Sequence, residues 1–141
     1  MPMTPAEIEA FLRQPLIAVI STVDEAGRPR STPVWFHWED GCAYLFTRRK
    51  SLKWRNLLAR PYASLCVDQR TPPYAAVVLD GPVEAVEDPG RLHELAGRMA
   101  RAYYGESKGA VFAERYRDNP NTVLFRIRPE RTVSWAYTED E

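Results

Sequence analysis

This chain of 141 residues is short of several things that would announce a function. It has two cysteines and two histidines, and its nineteen basic and nineteen acidic residues cancel. No apolar run approaches the roughly 18 residues that a membrane-spanning helix needs. Two thiols exclude a disulfide framework, and Cys42 and Cys66, both inside apolar strand-like runs, are expected to be buried and reduced. His37 and His93 cannot hold a metal alone, and no cysteine or carboxylate cluster has ligand spacing. Zero net charge argues against a surface tuned as a whole to nucleic acid or anionic lipid. The opening MPMTPAEIEA carries no basic segment followed by an apolar one, so no secretory signal is expected and a cytoplasmic setting is.

Glycine is also scarce, at seven residues, and none falls into G-x-G-x-x-G or G-x-x-x-x-G-K-[S/T], which excludes dinucleotide or P-loop binding of the usual kinds. No Ser, His and acid arrangement suggests acyl transfer. Any catalysis would then rest on the chemistry of a bound cofactor.

What is present reads as one mostly β domain over residues 1–141. Thr4-Pro5-Ala6-Glu7 predicts a capping box opening a helix that ends before Pro15. Leu16 to Val23 predicts a buried strand, Pro29 to Trp38 a second, and Cys42 to Arg48 a third after the Asp40-Gly41 turn. Ser51 predicts the N-cap of a short helix reaching about Ala59. Further strands are expected over Tyr62 to Asp68, Ala75 to Val86 with a bend at Gly81-Pro82, Thr122 to Arg128 and Thr132 to Tyr137. Asp88-Pro89 opens a longer helix with Leu92, Leu95, Ala96, Met99 and Tyr103 on one face, and Lys108 to Tyr116 is a weaker helical segment. Six or seven short strands with regular turns suggest a small antiparallel barrel flanked by helices.

Charge is uneven within the neutral total. Gly41 through Val67 contains no acid, while Arg48, Arg49, Lys50, Lys53, Arg55 and Arg60 are all basic. Five of them surround the helix start at Ser51, where free backbone N–H groups and the positive end of the dipole favour an anion. A phosphate there could be held at Ser51 and reached by Lys53; a merely solvated basic turn is the plainer alternative. Nearby stand Trp35, Phe36, His37 and Trp38, then Tyr44 and Phe46, and alternation sends some of these rings away from the interior. An outward tryptophan beside a basic helix start suits a flat anionic partner: a dinucleotide, a flavin or a nucleic acid strand. Neutral overall charge weighs against the nucleic acid. Pro33 removes a ladder donor, so its strand is bulged or lies at an edge. His37 is either a site residue or a strand-end histidine bonded to backbone.

The order AVISTVDEAGRPRSTPVWF, AYLFTRRKSLKWRNLLARP, ASLCVD and VVLDGPVEAVED resembles the pyridoxamine 5′-phosphate oxidase-like family, and within it the small flavin and deazaflavin oxidoreductases that include users of coenzyme F420. The resemblance runs from about Thr4 to Tyr137. It implies a six-stranded antiparallel split β-barrel with flanking helices, dimerising with cofactor sites at the subunit interface. It implies ring contacts from Thr32, Pro33, Val34 and Trp35, further contacts from Phe46, Thr47 and Arg48, and phosphate binding by Ser51 and Lys53 with Arg55 and Asn56 nearby. Expected with it is hydride transfer between reduced coenzyme F420, or alternatively FMN, and an unsaturated small molecule; a non-catalytic cofactor-binding protein is a third possibility. His37, Trp135 and Tyr137 are candidate walls of the substrate pocket. Vitamin B6 oxidases of the family carry a longer, basic C-terminal region, whereas this chain ends Thr138-Glu139-Asp140-Glu141, so that activity is not expected.

Overall fold

Thr4 opens α1 (Pro5–Leu12) as its capping box requires: its hydroxyl accepts from the Glu7 N–H, and the Glu7 carboxylate accepts from the Thr4 N–H. The structure, a computed structural model, describes residues 1–138; Glu139, Asp140 and Glu141 lie outside the described residues. After α1 come β1 (Ala18–Val23), β2 (Pro29–Val34), β3 (His37–Glu39), β4 (Cys42–Arg48), α2 (Leu52–Ala59), β5 (Tyr62–Gln69), β6 (Ala75–Val86), α3 (Pro89–Tyr104), α4 (Glu106–Ala113), a 3-10 turn (Glu114–Tyr116), β7 (Thr122–Ile127) and β8 (Arg131–Ala136).

All pairings are antiparallel, in the order β2-β1-β5-β6-β7-β4-β3, with β8 beside β6. Twelve-residue β6 joins the two halves of the sheet. Its first half pairs with β5 and β8, and from Val83 onward it pairs with β7. Gly81 sits at the changeover because a Cβ there would lie 2.0 Å from the Arg128 carbonyl oxygen. This is the split-barrel arrangement, with eight strands among the described residues instead of six.

One difference in strand count has a local cause. The stretch Pro29 to Trp38 does not run as one strand: β2 ends at Val34 and β3 begins at His37. β2 pairs with β1 alone, so Pro33 lies on an edge strand, where its missing N–H costs no ladder bond, and β3 pairs with β4 in the other half of the sheet. The chain therefore changes partners across Trp35-Phe36. Phe36 drops into the core while Trp35 stays half-buried on the far side.

Two further expectations are corrected. β1 is not buried on both faces: Ala18, Ile20 and Thr22 point inward, while Val19, Ser21 and Val23 look onto the open face of the sheet. Cys66 is half-exposed on that same face, unlike buried Cys42. The hydrophobic core divides about β4. Ala43 and Leu45 join the cluster of Ile20, Leu65, Leu79, Trp54 and Phe125. Cys42 and Tyr44 join a second cluster under α3, made by Leu92, Leu95, Ala96, Met99 and Leu124. α3 thus lies on β4 next to the strand break, which places its C-terminal aromatics beside Trp35.

Candidate functional site

Trp35 is the centre of an aromatic group assembled from distant parts of the chain. Its indole stacks on Tyr103 with centroids 5.0 Å apart and planes 2° from parallel. It meets Tyr104 edge-on at 4.9 Å, Phe112 at 5.5 Å and Phe46 at 6.4 Å. Phe46 and Phe112 each continue to Tyr116, at 4.8 and 5.4 Å. Tyr103 is held in turn: its hydroxyl donates to the Leu16 carbonyl at 2.7 Å and accepts from the Phe36 N–H at 3.4 Å. Burial pushes its phenol pKa up to about 12, so it stays a neutral donor.

These rings wall a cavity of about 450 Å³ lined by Ile17, Pro33, Val34, Trp35, Phe46, Lys53, Tyr104 and Phe112. Lys53 is the one cation among its described lining residues. The ammonium has no carboxylate or hydrogen-bonding partner among the described residues, and burial pulls its pKa below the ordinary lysine range. A half-buried charge without a partner is costly unless something anionic joins it. Edge strand β2, the strand break, β4 and the first turn of α2 all converge here, so the cavity has a flat apolar wall and a positive rim.

Beyond Phe46 lies a second cavity, of about 620 Å³, lined by Phe46, Thr47, Arg48, Ser51, Arg115, Tyr116, Asn119, Asn121 and Thr122. Ser51 caps α2 as expected, its hydroxyl accepting from the Trp54 N–H at 3.1 Å and lying 3.1 Å from the Thr47 hydroxyl. Ser51 and Lys53 therefore border different cavities: Ser51 faces the second one and Lys53 the ring-walled one.

The remaining expected residues are spread more widely. Pro33, Val34, Trp35, Phe46 and Lys53 line the first cavity, and Thr47, Arg48 and Ser51 the second, with Phe46 shared. Thr32 is exposed on β2 and lines neither. Arg55 is exposed on α2, while Asn56 falls on that helix's buried face with Trp54 and Leu57 and hydrogen-bonds the Thr22 hydroxyl at 3.4 Å. Arg49 is taken up by Glu87 at 2.8 Å. His37 lies in a separate groove with Trp38, Glu39 and Arg98, its ring 3.3 Å from the Glu39 carboxylate and not bonded to backbone. Trp135 and Tyr137 are exposed beside the β6–β8 pair and border neither cavity.

The lining residues that sequence reasoning missed are Ile17, Tyr104, Phe112, Arg115, Tyr116, Asn119, Asn121 and Thr122, with Tyr103 read only as part of a helix face. Within the second helical segment a partial signal existed, Phe112 and Tyr116 standing four residues apart, but Gly105 breaks the helix after Tyr104 and no local spacing joins that ring to them.

Residues 4–136 match the family model described as pyridoxamine 5′-phosphate oxidase. Among solved structures, the chain is similar to a conserved hypothetical protein from Mycobacterium tuberculosis, at 28% identity and TM-score 0.82 over 95% of this chain and 85% of that one. It is similar to an F420 reductase, at 25% identity and TM-score 0.69 over 88% and 94%. An FAD-binding protein from Mesorhizobium loti, at 19% identity and TM-score 0.76 over 98% of both chains, shares the fold. None of the curated proteins matches. With nearly its whole length matched and the split-barrel sheet in place, the chain belongs to the flavin-binding pyridoxamine 5′-phosphate oxidase family.

Proposed function

We propose that the protein is an oxidoreductase that uses a flat flavin-type cofactor, in the first instance the deazaflavin coenzyme F420, to reduce an unsaturated small organic molecule. The observation that carries this reading is the ring-walled cavity with the unpartnered, half-buried Lys53 at its rim. Its residues fit such a group: Pro33, Val34 and Trp35 give a flat wall for a ring, and Lys53 an opposite charge for an acidic tail. Similarity to an F420 reductase and the carboxylate-free surroundings of Arg48 and Lys53 favour the deazaflavin over FMN.

When bound, the cofactor would supply the hydride. The chain's own residues have other work. Trp35, stacked on Tyr103, presents an aromatic surface whose position is already set before a ligand arrives. Tyr104 and Phe112 exclude water from the apolar side of the cavity. Lys53 offsets negative charge on the tail, and a charge-assisted hydrogen bond of this kind is about twice as strong as a neutral one.

We also propose that two copies assemble with the open sheet face between them. Val19, Cys66, Val78 and Val133 stand side by side across β1, β5, β6 and β8, forming an apolar row that reaches Pro33 on β2, itself part of the cavity wall. A partner covering this row would complete the site at the interface.

Titration of the purified protein with coenzyme F420 and with FMN, followed by cofactor fluorescence, tests the reading. The expected result is tighter binding of F420, and oxidation of its reduced form when conjugated acceptors are added. Tighter FMN binding reverses the choice of cofactor, binding without turnover of any acceptor leaves a cofactor carrier, and binding of neither removes the proposal.

A further inference from the structure

We propose that the groove holding His37 is a further binding site, separate from the ring-walled cavity, and that it takes a small aromatic monocarboxylate. It lies between the C-terminal end of α1 and α3, is floored by β3 with Phe36 and Asp40 on either side, and encloses about 460 Å³. None of its lining residues lines either of the cavities described above. A guest here would need no cofactor in the first cavity.

Three cross-links hold the walls of this groove in place. Trp38 of β3 donates its indole N–H to the Glu9 carboxylate of α1 at 3.0 Å. Tyr103 of α3 donates to the carbonyl of Leu16, just past α1, at 2.7 Å. Arg91, near the start of α3, pairs with Glu39 of β3. Each wall is pinned to another by a polar contact, so the space belongs to the folded frame, and its size suits a small molecule. The lining is mostly apolar: the half-buried rings of Trp38 and Tyr103 and the buried Phe36 and Met99, with Pro15 and Ala102 exposed at the rim. Rings from two elements suit a flat guest. Tyr103 also stacks on Trp35, so one ring stands between this groove and the first cavity.

The charges around the groove are unevenly matched. Glu39 is met by Arg91 and by the His37 ring 3.3 Å away. Along α3, Arg91 also meets Glu94 and Arg101 lies 4.0 Å from Glu106, whereas Arg98, which faces the groove, has no carboxylate partner among the described residues. On the opposite wall Arg13 reaches Glu9 only at 3.6 Å, through the same oxygen that accepts from Trp38. Each helical wall therefore presents a guanidinium that an incoming anion can take up, and the planar guanidinium fork matches a carboxylate. Asp40, exposed on the turn after β3, is the acid of the lining that has no cationic partner among the described residues, and it disfavours a second negative charge on the guest.

Calorimetric titration of the full-length protein with 2-naphthoate, and with its neutral amide 2-naphthamide, tests the site. R98Q removes the cation, and A102F fills the groove from an exposed position on α3, where the larger side chain stays outside the core. R70Q, whose Arg70 pairs with Asp68 outside the groove, is the charge control, and K53M reports on the ring-walled cavity. The expected result is naphthoate binding of closely similar affinity in wild type, R70Q and K53M, with a loss of at least tenfold in both R98Q and A102F. The amide should bind the wild type at least tenfold more weakly than the naphthoate does. Wild-type affinity in either R98Q or A102F overturns the site, and so does equal affinity for the amide. Absence of binding to the wild type at millimolar naphthoate overturns it too. Binding abolished by K53M puts the probe in the ring-walled cavity and likewise overturns the site. The expected pattern in a protein that binds neither coenzyme F420 nor FMN upholds the groove and removes the cofactor reading alone.

Discussion

Lys53 is a residue whose cost in the free protein makes sense through a ligand. Burial lowers its pKa, which means that the folded chain disfavours the charged form. A lysine with a depressed folded pKa subtracts its full penalty from stability below that pKa, and the penalty fades as pH rises from there to the unfolded value, above which it is gone. Lys53→Met should therefore leave the melting temperature at neutral pH unchanged or raise it. It should at the same time weaken cofactor binding by about 1.5–3 kcal/mol, the usual loss for a hydrogen bond to a charged group. In the wild type, affinity for the anionic tail should decline as pH rises through the lowered pKa, starting at lower pH than for an ordinary lysine. Fluorescence titrations between neutral and alkaline pH on both proteins check this; a flat profile in the wild type would separate Lys53 from the anion. Tyr103 sets up a contrasting case. Tyr103→Phe keeps the ring stacked on Trp35 but strips the hydroxyl from the Leu16 carbonyl and the Phe36 N–H, and should cost about 1–3 kcal/mol in urea unfolding. The neutral phenol's stabilising contribution is complete below the ordinary value of 10.0 and is lost as pH climbs from there toward about 12, so the variant should lose less stability than wild type over that range.

At the scale of elements, the aromatic wall depends on how closely α4 packs on α3. Gly109 permits this approach: a Cβ added there would lie 2.4 Å from the Arg101 Cα and 2.6 Å from its nitrogen, both backbone atoms that cannot turn aside. Gly109→Ala should push the helices apart at a cost of about 1–3 kcal/mol, as overpacking does. It should also displace Phe112 and Tyr104 from Trp35. The expected signature is weaker ligand binding with an altered near-ultraviolet circular dichroism signal and an unchanged far-ultraviolet one. Unchanged ligand affinity would mean that α4 is not part of the wall. Elements of this kind were only partly legible in the sequence. Local signals were enough for the caps at Thr4, Ser51 and Asp88 and the Asp40-Gly41 hairpin, because each is decided within a few residues. The break at Trp35-Phe36 was not, since alternation continues unbroken through Trp38 and only the competition between β1 and β4 for partners ends the strand. Likewise the Ser51 cap and Lys53 were readable as neighbours in sequence, but not that the helix start divides them between two cavities.

For the whole molecule, the open sheet face carries the largest consequence. Strand alternation marks which residues of β1, β5 and β6 point away from the core, yet their alignment into one row depends on register across four strands, which no local pattern encodes. In that row Val78 stands between Cys66 and Val133, flanked along β6 by the fully buried Val77 and Leu79. Trp135 and Tyr62 add exposed rings to the same face. If a second copy covers it, Val78→Glu should place a charge at the centre of an apolar contact, which is expensive without a partner. The core behind it would be untouched. Light scattering coupled to size exclusion should then read a dimer for the wild type and a folded monomer for Val78→Glu. Cofactor affinity should fall with dissociation although Val78 borders neither cavity, because Pro33 joins the row to the cavity wall. A wild-type monomer that binds cofactor would show that one chain completes the site, and a dimer that survives Val78→Glu would move the contact to another face.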